Sequence, residues 1–65
     1  MKDRTINTLN LLHKTLKEVE EDVYNEALKI QRENILVTDR YIMLVDMREM
    51  LVSVLSRPEN SLDNN

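Results

Sequence analysis

The chain has 65 residues, a formal net charge of −3 and no cysteine. A domain of that length buries only about 60% of its unfolded surface, and without cysteine neither disulfides nor thiolate metal sites reinforce it. His13 is the only histidine, too few ligands for a protein-built zinc site, so self-association or a partner is left to complete the core.

The acidic balance argues against a surface for non-specific binding of nucleic acid or anionic membrane. "MKDRTINTLN" lacks the apolar core of a signal peptide. The run "YIMLV" is far too short to span a bilayer. The cytoplasm is therefore the expected setting. Glycine is absent and Pro58 is the sole proline, so turns needing positive φ have only Asn or Asp to use, and helices are favoured over hairpin strands.

The spacing predicts a first helix over residues 5–33. Thr5, Leu9, Leu12, Leu16, Val19, Val23, Ala27 and Ile30 recur three and four apart and form one narrow stripe. Lys14, Glu18, Asp22, Asn25, Lys29 and Arg32 lie opposite. Lys14–Glu18, Lys17–Glu21 and Lys29–Glu33 are i,i+4 pairs in the weaker orientation, each contributing at most a few tenths of a kcal/mol. Leu9 to Val23 also fit a heptad, but Glu26 takes the next d position and disfavours a long two-stranded coiled coil.

A break is expected in "ENILVTD". Asn34 suits the left-handed residue that ends a helix, and Thr38 or Asp39 suits the cap of the next. Ile35, Leu36 and Val37 are apolar for a loop and are expected to fold back as a plug over the end of the helix pair. The alternative is one unbroken helix, which β-branched residues oppose only mildly.

The second helix is predicted over residues 39–56, ended by Pro58, with residues 58–65 as a disordered polar tail. Leu44, Leu51 and Leu55 form its central line. Met43, Met47, Met50 and Val54 flank that line on one side; Tyr41, Val45 and Val52 flank it on the other. The apolar arc exceeds about 200°, against the roughly 100° that one neighbouring helix covers. The implied fold class is all-α: a two-helix antiparallel hairpin over residues 1–57, dimerising into a four-helix bundle. Leu12, Leu16, Val19, Val23, Leu44, Leu51 and Leu55 would form its core. The longer first helix would overhang the second, leaving Ile6 and Leu9 to another subunit.

For chemistry the sequence offers little. His13 has no cysteine to pair with, and no serine sits in a nucleophile elbow. No enzyme activity, cofactor or metal is expected. The candidate surfaces are for partners. Glu18, Asp22 and Glu26 fall on one side of the first helix at i,i+4 steps, as a solvated acidic stripe or a docking stripe. Met43, Met47 and Met50 are flexible side chains suited to repacking against varied partners, or to ordinary core filling. Arg48 projects into the apolar arc; either its stem packs while its head reaches water, or it is buried against a carboxylate, with Glu26 or Glu20 as the candidates.

A larger protein partner and a homodimer are the expected company. The leading functional expectation is a small non-enzymatic regulator, adaptor or inhibitor that binds protein through helical surfaces. A DNA-associated transcription regulator is the runner-up, with Lys2, Arg4, Lys14 and Lys17 as its basic end, although the exposed face of the second helix carries Asp46, Glu49 and Ser53 rather than phosphate-binding residues. A structural or chaperone subunit of a helical complex is the third reading.

Overall fold

A computed structural model describes residues 3–60 as two α-helices and a terminal turn, with no strand among them. Helix α1 runs Asp3–Glu33 and helix α2 runs Asp39–Leu55. The α1 start lies two residues before the expected one, and Asp3 in its first turn complements the helix dipole. Lys2 and residues 61–65 lie outside the described residues.

The break falls where the turn chemistry places it. Asn34 has φ 52°, and its N–H donates to the Gln31 carbonyl at 3.3 Å while the Ile35 N–H donates to the Ile30 carbonyl at 3.1 Å. Those two bonds make a Schellman motif, with Asn34 in the position usually held by glycine. The chain then extends to Thr38, whose φ and ψ are −85° and 156°. Its Oγ1 accepts from the Tyr41 N–H at 3.1 Å, satisfying one of the orphan donors of α2.

At the far end α2 stops at Leu55, with Ser56 as its cap. The Ser56 hydroxyl donates to the Val52 carbonyl at 2.6 Å. Pro58–Asn60 then form a 3-10 turn, closed by the Asn60 Nδ2 donating to the Val54 carbonyl at 2.8 Å. The first residues of the expected polar tail thus form a turn, in which the Asn60 side chain reaches the Val54 carbonyl, whose usual helical donor would be the N–H that Pro58 lacks.

The helices pack antiparallel. Glu26 meets Thr38 and Arg40, and Glu20 meets Arg48. Leu12 and Thr15 line a groove with Met47, Met50, Leu51 and Val54. Continuing that register puts the turn after α2 opposite Leu9. This corrects the expected overhang: Leu9 is buried within the single chain, and Ile6 is half-buried.

The core is one layer thick. Among the described residues, Leu9, Val19 and Leu44 are the buried hydrophobic ones, and no side chain is completely enclosed. Leu12, Leu16, Val23, Leu51 and Leu55 are only half-buried. The expected plug is also corrected: Leu36 is 90% exposed, and Ile35 and Val37 are exposed beside it. The extended link from Asn34 to Thr38 is committed to capping both helices and carries these side chains outward.

Candidate functional site

The apolar residues of α2 are spread around most of its circumference, so α1 covers its central line and part of the Tyr41–Val45 flank. Leu44 is buried and Leu51 and Leu55 are half-buried. The flank made by Met43, Met47, Met50 and Val54 stays open, with the methionines 50%, 38% and 68% exposed and Val54 half-buried. Along it runs an apolar groove of about 260 Å³ lined by Leu12, Thr15, Met47, Met50, Leu51 and Val54. It adjoins a wider open hollow of about 560 Å³ lined by Asp46, Glu49, Met50, Ser53 and Val54. Met50 and Val54 belong to both, so apolar floor and acidic margin are continuous.

Leu11 extends the same side of the hairpin. It stands one helical turn before Thr15, whose hydroxyl donates to the Leu11 carbonyl at 2.9 Å, and it is 62% exposed. Sequence reading passed over it because it falls outside the repeat that marks the α1 core. The signal was available: two adjacent leucines on an amphipathic helix point to different sides, and only one can follow the stripe.

The acidic residues divide. Glu18 and Asp22 are exposed on α1, whereas Glu26 is 8% exposed and turned into the hairpin. Its Oε2 accepts from the Thr38 hydroxyl at 2.8 Å, and its Oε1 lies 3.8 Å from the Arg40 Nε. Glu26 is therefore no member of a solvated stripe. Its heptad d position, on the margin of the α1 apolar stripe, is the cue to this.

Arg48 pairs with Glu20 at 3.6 Å, and both side chains are about half exposed. Of the two candidate carboxylates, one on each margin of the α1 stripe, it has Glu20, and Glu26 goes to Arg40. Both arginines of α2 are thus taken by carboxylates of α1, while Asp46 and Glu49 on α2 and Glu18 and Asp22 on α1 have no ion-pair partner among the described residues.

No group of three or more His, Cys, Asp or Glu side chains among the described residues is placed to hold a metal ion. No described helix is long and apolar enough to cross a membrane. Comparison with protein-family models, with curated proteins and with solved structures finds no match to the chain. The geometry of the open flank is what bears on function.

Proposed function

We propose that the chain is a small non-enzymatic module that binds another protein through the open flank of α2, acting as a regulator, adaptor or inhibitor. One observation carries this reading: Met47, Met50 and Val54 line one apolar groove with Leu12 and Leu51, and the exposed Met43 lies one helical turn before Met47, whereas incidental exposed apolar residues are scattered. Flexible methionine suits a surface that must fit a helix from elsewhere. A photo-crosslinking residue at position 50 should join the chain to a polypeptide in native lysate, and the same group at Lys17, exposed on the other side of α1 from Glu18 and Asp22, should not. Equal labelling from both positions defeats the reading.

A second reading, a homodimer completing a four-helix bundle through the same flank, is favoured by the flank itself: α1 leaves Met43, Met47 and Met50 exposed, and a second hairpin would cover them. Sedimentation equilibrium at micromolar concentration tests it; a monomer with cooperative unfolding removes the dimer and leaves the first reading. The DNA-associated reading lacks comparable support, since the outer face of α2 carries Asp46 and Glu49.

A further inference from the structure

We infer that the Met47–Met50–Val54 groove takes a cationic amphipathic helix of another protein in preference to a second copy of this chain. The inference rests on the protein-binding reading and names the chemistry of the partner.

The exposed methionines show that the flank is incompletely covered; charge says by what. The groove floor is apolar, and its margin is acidic on both sides. Asp46 and Glu49 line the hollow that shares Met50 and Val54 with the groove. Across it, Glu18 and Asp22 follow Leu11 and Thr15 along the same side of α1 at helical spacing. The arginines that would neutralise this margin are engaged elsewhere, Arg40 with Glu26 and Arg48 with Glu20. On that side of α1 the same spacing places Lys14 beside Glu18, with Arg4 and Lys29 toward the two ends of the helix, so the stretch of margin along the groove sets four carboxylates against Lys14 and stays net negative.

A two-fold contact presents the same patch from both copies. Through this face it would set two acidic margins against each other, and like charges across an interface act against the wrong partner. A helix with apolar residues on one face and Lys or Arg along its edges satisfies floor and margin together. This is helix-in-groove recognition, in which apolar anchors at i, i+3, i+4 and i+7 seat and the flanking charges choose the partner.

The probe is a labelled synthetic helix with leucines on one face and lysines on the other, compared with a twin carrying glutamates in place of the lysines. Anisotropy is read against the full chain, with sedimentation run in parallel. The lysine helix should bind at least about tenfold more tightly than the glutamate twin, since several margin pairs each add a fraction of that factor, and the preference should shrink with salt. Met47→Ser with Met50→Ser leaves the net charge unchanged and should abolish binding. Retained binding in that variant would mean adsorption to an acidic surface and would overturn the inference. Reversing Glu18, Asp22, Asp46 and Glu49 to Lys should pass the preference to the glutamate helix.

Equal binding of both helices sinks the charge argument and spares the protein-binding reading. Binding of neither by a sedimenting monomer sinks both. A dimer that Met50→Asp converts to monomer gives the groove to the second copy and overturns the inference.

Discussion

Glu26 of α1 accepts a hydrogen bond at 2.8 Å from the hydroxyl of Thr38, the residue that caps α2. One side chain thus starts the second helix and fastens it to the first. The hydroxyl donates to the carboxylate while its oxygen accepts from the Tyr41 N–H, so both of its hydrogen-bonding capacities are used in closing the hairpin.

Thr38→Ala should cost about 2 kcal/mol, from a lost cap and a lost bond to a charged acceptor. Thr38→Ser should recover most of it. Thr38→Asp is informative, because Asp is as good a cap in isolation but cannot donate to Glu26 and repels it. It should fall well below Ser. A double-mutant cycle with Glu26→Ala, read by urea unfolding, should give a coupling of about 1 kcal/mol or more; additivity would mean that cap and clasp are independent.

Arg48→Ala should cost less than about 1 kcal/mol, because the Arg48–Glu20 pair is half exposed on both sides. Arg48→Met should be equally mild. A loss of several kcal/mol for Ala with Met nearly neutral would be the signature of a stranded buried carboxylate, and would place Arg48 at a subunit interface. Thermal melts at equal protein concentration distinguish the two, since oligomerisation makes the midpoint concentration-dependent.

Asn34→Gly should raise stability slightly, or leave it unchanged, because the left-handed backbone at φ 52° is free of steric cost in glycine. Asn34→Val should lower it by about 1 kcal/mol or more, since a β-branched residue is strained there. Unfolding midpoints of the pair test this. Equal midpoints would point to a link that readily adopts another conformation.

Leu36→Ser should change stability by less than about 0.5 kcal/mol, as expected of a side chain 90% exposed. A buried plug would instead lose about 2 kcal/mol or more. The variant should also be more soluble at high concentration, because it removes the most exposed side chain of the apolar link Ile35–Val37.

The hairpin was legible wherever local chemistry decides. The 3.6-residue stripe gave α1, Asn34 gave its end, and Thr38 was one of two candidate caps. Each of these depends on residues within a turn or two. What escaped depends on residues far apart in the chain. Glu26 reads as an acidic surface residue until Thr38 and Arg40 arrive opposite it. Leu9 reads as overhanging until the register of the two helices is known, which brings the end of α2 level with it. Ile35, Leu36 and Val37 read as core by composition, but their backbone is already committed at both ends. The excess apolar arc of α2 was legible as a quantity, and the structure adds which flank it occupies.

The dimensions of the hairpin bear on how its mass can be measured. The chain extends 48 × 16 × 15 Å. α1, at about 1.5 Å per residue, nearly fills the long dimension, and α2 is too long to lie across the short ones. Amide N–H bonds run along a helix axis, so most of those in this molecule are aligned with its slowest-relaxing direction. Such bonds sense end-over-end tumbling and little of the faster spin about the rod. Nitrogen relaxation analysed as though the particle were a sphere would therefore assign a single hairpin the correlation time of a heavier body, and a monomer in solution would pass for a dimer.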